Sequence, residues 1–177
     1  MLKINIAEIG PGLNLKESIP AQTLPELKKM QAEDGFAFAA PLAFELHLER
    51  LGDVINITGV LHGAITMPCG RCLNGYTQNI ESRFTLKAAP KATERRYEKE
   101  TELLGDELDD FTYEGSTLDL REILQEQVIL ALPLAPMCRE DCRGLCVKCG
   151  HDLNQGPCGC DGTGQGHPAF ASLKDLL

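Results

Sequence analysis

Hydrophobic residues take every second position from Phe44 to Leu48: Phe44, Leu46 and Leu48 alternate with Glu45, His47 and Glu49. A period of two sends one set of side chains into a core and the other into water, the pattern of a half-buried strand. Gly52 and Asp53 supply a turn, after which Ile55, Ile57, Leu61, Ile65 and Met67 keep one phase. Gly59 and Gly63 interrupt that run and are read as a bulge or a bend. Beyond a loop at 68–75, Tyr76, Ile80, Phe84 and Leu86 again share a phase. Three successive antiparallel strands, a β-meander, are expected.

The period changes after residue 116. Leu120, Ile123, Leu124, Val128 and Ala131 follow helical spacing. Ser116 or Thr117 offers a cap, and Asp119 and Glu122 lie in the first turns, where the helix dipole favours acids. Pro133 and Pro136 stop the helix. At 1.5 Å per residue it should be ~21 Å long, with its apolar stripe on the sheet. Residues 1–9 read as an edge strand. Residues 10–35, with Gly10, Pro11, Gly12, Pro20 and Pro25, read mostly as loop, with a short helical possibility at 24–32. Phe111-Thr112-Tyr113 reads as a short strand. Phe170, Leu173 and Leu177 mark one face of a short last helix. The expected class is α+β: an antiparallel β-meander packed with one main helix over residues 1–133, then a small Cys-rich zinc-binding segment at 134–177.

With 177 residues, a chain can bury about 70% of its unfolded surface. Aromatics are 5% and Trp is absent, so the core must be mostly Leu, Ile, Val and Ala. The net charge of −9 opposes binding to a phosphate backbone and suits a basic protein partner. Acids crowd between Glu98 and Glu114 with only Lys99 against them. Such a stretch is a solvated loop or a docking surface for something basic. The first residues, Met1 to Glu8, have no long apolar core and carry an early acid, unlike an export signal. No apolar run approaches the ~18–20 residues of a membrane span. A cytoplasmic protein with reduced thiols is expected.

That expectation bears on the cysteines. Six of the eight, Cys138, Cys142, Cys146, Cys149, Cys158 and Cys160, fall near the C-terminus. Cys146-Val147-Lys148-Cys149-Gly150 is a CxxCG knuckle: two sulfurs can share one tetrahedral ion, and glycine lets the backbone turn its N–H groups toward them. Zinc suits soft thiolates in a closed, redox-silent site, whereas the spacings match neither common ferredoxin run. The partners of Cys146 and Cys149 are either Cys138 and Cys142 or Cys158 and Cys160. His151 and His167 are weak alternative ligands. The segment has few large apolar residues, so bound metal would supply its folding energy. Cys69-Gly70-Arg71-Cys72 is a second CxxC, on the loop between two strands. It reads as half of a second metal site, as a redox pair, or as a reduced hairpin loop presenting Arg71.

No phosphate-binding GxxxxGK[ST], no GxGxxG and no GxSxG occurs. His47 and His62 lie on the polar phase of strands. No catalytic residue is assigned.

Several pieces follow one another in a specific order. They are Cys69-Gly70-Arg71-Cys72-Leu73, Leu118-Asp119-Leu120-Arg121-Glu122, Gln127 through Pro133, Cys138, Gly144 through Asn154, the Cys158-Gly159-Cys160 pair, and Pro168 through Leu177. Over roughly residues 40–177 the chain thereby resembles the YceD family, the large ribosomal RNA subunit accumulation proteins of bacteria and plastids. The resemblance implies a non-catalytic factor promoting synthesis, processing or accumulation of large-subunit (23S-type) ribosomal RNA. The implied partner is a ribosomal protein or rRNA-processing factor of the large subunit, with direct rRNA contact at Arg139, Arg143 and Lys148 as second choice. The rival reading is a thiol redox protein or metallochaperone using Cys69 and Cys72.

Overall fold

In the residues described by the computed structural model, 2–91 and 110–160, the chain opens with β1 (Lys3–Asn5), α1 (Ile6–Ile9), β2 (Leu13–Ile19) and a 3₁₀ turn (Ala21–Thr23). It continues through α2 (Pro25–Asp34), β3 (Ala37–Phe38), β4 (Leu42–Leu51), β5 (Val54–Pro68) and β6 (Gly75–Pro90). It then forms β7 (Asp110–Tyr113), β8 (Thr117–Asp119) and α3 (Leu120–Ala131). The class is mixed α+β. The chain divides into two units: Met1–Met67 with Thr77–Leu134, and Pro68–Tyr76 with Ala135–Leu177. The hairpin loop at 68–76 thus groups with the Cys-rich segment.

The first unit is built on a sheet in the order β2-β4-β5-β6-β7, with β3 also paired to β5. β2 and β5 flank β4 antiparallel to it. Alternation sets the faces: Leu42, Phe44, Leu46 and Leu48 are buried on β4, as are Ile55, Ile57, Leu61, Ile65 and Met67 on β5. Ile80, Phe84 and Ala88 continue this face on β6, where Leu86 is half-buried. A separate two-stranded pair joins β1 to β8. Helix α3 buries Leu120, Ile123, Leu124 and Val128. Its buried Gln127 accepts from Ser82 Oγ on β6 at 3.1 Å, so the helix carries no orphaned amide oxygen there.

Gly59 of β5 differs from expectation. The β4–β5 register runs unbroken from Ala43↔His62 to Leu51↔Val54, with Leu46 facing Gly59, so no bulge sits at Gly59. Gly59 instead occupies an inward position. A Cβ there would lie 2.4 Å from Phe84 Cζ and 2.6 Å from Leu46 Cδ2. It is the small residue that lets two large ones close over it.

Other boundaries shift for identifiable reasons. Thr117–Asp119 pairs with β1, so α3 is capped by Asp119, whose Oδ1 accepts from Arg121 N at 3.1 Å, rather than by Ser116 or Thr117. Twelve residues make this helix about 18 Å long. Residues 10–35 are not mostly loop: they hold β2 and α2, the latter with Pro25 at its start. Gln125 Oε1 on α3 accepts Glu26 N at 3.0 Å, supplying the cap that Leu24 lacks. The 111–113 strand forms within β7 but runs parallel to β6. The expected terminal helix and most of the acidic 98–114 stretch lie outside the described residues.

Gly59→Ala should lower the stability of this unit by about 1–3 kcal/mol through overpacking, although alanine reduces the freedom of the unfolded chain. Urea denaturation measures it; an unchanged or raised midpoint would contradict the packing role.

Candidate metal centres

Both CxxC sequences fold into the same loop. In one, Leu73 N donates to Cys69 O at 2.9 Å and Cys69 N donates to Asn74 O at 2.9 Å. In the other, Gly150 N donates to Cys146 O at 2.8 Å and Cys146 N donates to His151 O at 2.8 Å. Each bond links equivalent positions. The residue after the second cysteine is left-handed in both, with φ 62° at Leu73 and φ 72° at Gly150. That conformation closes the turn and points successive N–H groups at the first sulfur. Glycine adopts it freely, whereas leucine does so at a steric cost.

The loops bring all eight cysteines into two quartets. The Sγ atoms of Cys69, Cys72, Cys138 and Cys142 lie within 4.8 Å of one another, as do those of Cys146, Cys149, Cys158 and Cys160. Of the two partner pairs that spacing leaves open for Cys146 and Cys149, Cys158 and Cys160 stand beside them. Cys138 and Cys142 gather with the hairpin pair instead. All eight are free thiols. In the first quartet, Cys69 Sγ–Cys142 Sγ and Cys72 Sγ–Cys138 Sγ are both 3.8 Å. A tetrahedral ion with metal–sulfur bonds of about 2.3 Å needs sulfur–sulfur edges of about 3.8 Å. The donor set therefore fits a single soft ion. A multi-iron cluster would stand its own iron and sulfide atoms between the thiolates and need them wider apart.

Chain segments lock the first quartet from outside. Gly70 N donates to Pro136 O at 2.8 Å, and Arg71 Nη1 donates to Cys142 O at 3.0 Å. Gly144, at φ 73°, brings the chain past the hairpin so closely that a Cβ would lie 3.1 Å from Arg71 O. Cys69, Cys72 and Cys142 are buried together, with Tyr76, Cys138 and Leu145 packed on them. The second quartet is more open, and Cys149 is exposed.

The electrostatics are asymmetric within each quartet. Backbone N–H groups of Cys72, Cys138 and Arg71 hold the Cys69 thiol down to about 6; those of Arg71 and Cys138 reach its sulfur at 3.4 Å. The N–H groups of Cys149 and Lys148 hold Cys146 down to about 6. Burial, with the neighbouring thiols, pushes Cys138 up to about 12, and the Cys149 thiol beside it, with burial, pushes Cys160 up to about 12. One thiolate forms readily at each centre, whereas Cys72 and Cys138 in the first and Cys158 and Cys160 in the second resist until a cation joins them.

His151 is exposed and belongs to neither quartet; its carbonyl serves the knuckle instead. His167 lies outside the described residues. Sequence reading gave no role to Asn74, Asp152 and the side chain of Asn154. Their signal was the cluster of short polar residues beside the cysteines, which turns favour on any account.

A family described as "Large ribosomal RNA subunit accumulation protein YceD" matches residues 57–177, a span holding all eight cysteines. The chain is 27% identical over 174 residues to an uncharacterized protein of Mycobacterium leprae, covering 95% of this chain and 72% of that protein. It is 28% identical over 185 residues to an uncharacterized protein of Mycobacterium tuberculosis, covering 99% and 81%. It is 24% identical over 159 residues to "Large ribosomal RNA subunit accumulation protein YCED homolog 1, chloroplastic" of Arabidopsis thaliana, covering 77% of this chain and 50% of that protein. No solved structure matches significantly.

The equivalence of the two loops predicts opposite responses to exchanged residues. Gly150 has open space around the position of a Cβ, so Gly150→Leu should act through the backbone alone and destabilise the second unit by about 1–2 kcal/mol. Leu73→Gly should not destabilise it. Thermal melts of the two variants would refute the equivalence if Gly150→Leu proved neutral or Leu73→Gly the more damaging.

Proposed function

The chain belongs to the YceD family, and on that premise we propose that it is a non-catalytic factor promoting synthesis, processing or accumulation of large-subunit ribosomal RNA. The observation that carries this reading is that the family span encloses two closed sulfur quartets. Each quartet holds one zinc ion: Cys69, Cys72, Cys138 and Cys142 bind one, and Cys146, Cys149, Cys158 and Cys160 bind the other. Four thiolates fill a tetrahedral ion and leave no position for water or substrate, so the role of the metal is structural. The ions do for the second unit what the apolar core does for the first.

Charge argues for a protein partner. Four thiolates around one divalent ion leave a centre with a formal charge of about −2. Two of the basic residues nearby are already engaged. Arg71 donates to Cys142 O, and Arg139 Nη2 donates to Asn154 Oδ1 at 2.8 Å and pairs with Asp141 at 3.4 Å. A basic ribosomal protein or rRNA-processing factor of the large subunit fits this surface better than a phosphate backbone. Contact with rRNA through Arg139, Arg143 and Lys148 is second choice. Among the described residues no helix is long and apolar enough to cross a membrane; we place the protein in the cytoplasm, where large subunits are assembled.

The rival reading, thiol redox chemistry at Cys69 and Cys72, draws on the lowered Cys69 thiol, since a thiolate is the nucleophile in exchange. Against it, both residues are buried, and neither stands at a helix N-terminus. The same lowered thiol equally serves a metal.

Depleting the protein should lower large-subunit rRNA relative to small-subunit rRNA, measured on total RNA; an unchanged ratio would remove the assignment. Stripping metal under reducing conditions should abolish hydrogen-exchange protection at residues 144–153 while β4 and β5 keep theirs. Full protection at 144–153 in metal-free protein would contradict the structural role of zinc.

A further inference from the structure

The turn at residues 151–154 is hydrogen-bonded to the loops of both quartets. Their backbone is the return side of the Cys146–Cys149 knuckle: His151 O accepts Cys146 N at 2.8 Å, Asp152 bridges to Leu145, and Leu153 N donates to Gly144 O at 2.9 Å. Their side chains reach the other centre. Asp152 Oδ2 accepts Asn74 Nδ2 at 2.7 Å, fastening the Cys69–Cys72 loop. Asn154 Nδ2 donates to Cys142 Sγ at 3.5 Å. The amide orientation of Asn154 is dictated by its neighbours. Its Oδ1 receives two unambiguous donors, Arg139 Nη2 at 2.8 Å and Arg143 N at 2.9 Å. Its Nδ2 faces the Asp152 carboxylate at 2.6 Å.

From this geometry we propose that Asp152 and Asn154 couple the two metal centres, so that filling either quartet raises the affinity of the other. The proposal rests on the reading that both quartets hold zinc. An ion at Cys146, Cys149, Cys158 and Cys160 fixes the 144–154 turn. That places Asn154 to donate to Cys142, a ligand sulfur of the other ion, and Asp152 to hold the loop that carries Cys69 and Cys72. Outer hydrogen bonds of this kind orient ligands and steady their charge. The ordering of the shared turn is then met once for two ions rather than twice. By linkage the effect is reciprocal, and couplings of this kind change affinity by about 5–150-fold.

The test is native mass spectrometry of the reduced, metal-free full chain titrated with zinc, beside zinc-buffer competition. Two independent sites of any relative affinity leave about half or more of the chains with one ion when half the total capacity is filled. The wild-type chain should fall below that, going largely from no ion to two. In Asp152→Ala/Asn154→Ala the one-ion species should rise to half or more. Cys138→Ser/Cys142→Ser should weaken zinc at the remaining quartet by about 5–150-fold, and should weaken it no further in the Asp152→Ala/Asn154→Ala background. Asn154→Asp keeps an oxygen for Arg139 and Arg143 but turns an anion toward Cys142; it should uncouple the sites while both still fill. Two ions bound independently in the wild-type chain, or coupling that survives these variants, would overturn the proposal and leave the zinc reading intact. Failure of either quartet to take zinc would overturn both.

Discussion

Sulfurs standing 3.8 Å apart in a closed group are stable as thiolates only if a cation lies among them. Like charges at that separation repel strongly, and burial removes the water that would screen them. The rest of the second unit follows from this constraint. The two CxxC turns exist to aim N–H groups at sulfur, and Gly144 exists to let one chain segment pass the hairpin. Arg71 spends a guanidinium hydrogen bond on a backbone carbonyl of the tail. Each device holds a donor atom in place.

The two units are held by different physics. In the first, inward side chains of β4 and β5 are almost wholly excluded from water, and Gly59 marks how tightly they meet. The favourable contribution there is apolar burial. Among the described residues the second has no comparable store of large apolar residues: its buried cluster there is three cysteines with Tyr76, Cys138 and Leu145 against them. In the function proposed above, coordination of metal offsets the conformational entropy instead.

Much of the first unit was legible because period-two alternation is read directly from side-chain identity. Phe44 through Met67 is the clear case. Strand β2 was missed because it lies at the sheet edge, where only alternate residues are even half-buried and the contrast between faces is weak. Gly59 of β5 was misread because a glycine that makes room and a glycine that marks a bulge look alike in sequence; only the partner strand's register separates them. The start of α3 moved because β1 pairs with 117–119, a long-range contact that no local cap signal encodes.

The site was legible in part for a similar reason. Gly150 announced its turn, since only glycine is at ease there, but Leu73 adopts the same conformation with no such signal. The hairpin therefore gave little hint that it was a twin of the knuckle. Which cysteines share an ion depends on how the chain returns, and spacing alone does not determine that. The side chains that join the centres, Asp152 and Asn154, are ordinary turn residues until their partners are in view.

X-ray absorption at the metal edge of protein purified under reducing conditions addresses the central claim most directly. Zinc in a sulfur-only shell, four scatterers per ion at about 2.3 Å, is the expected result. A shell containing nitrogen or oxygen ligands, a short metal–metal vector, or cysteines oxidised in pairs with no metal at all would contradict it.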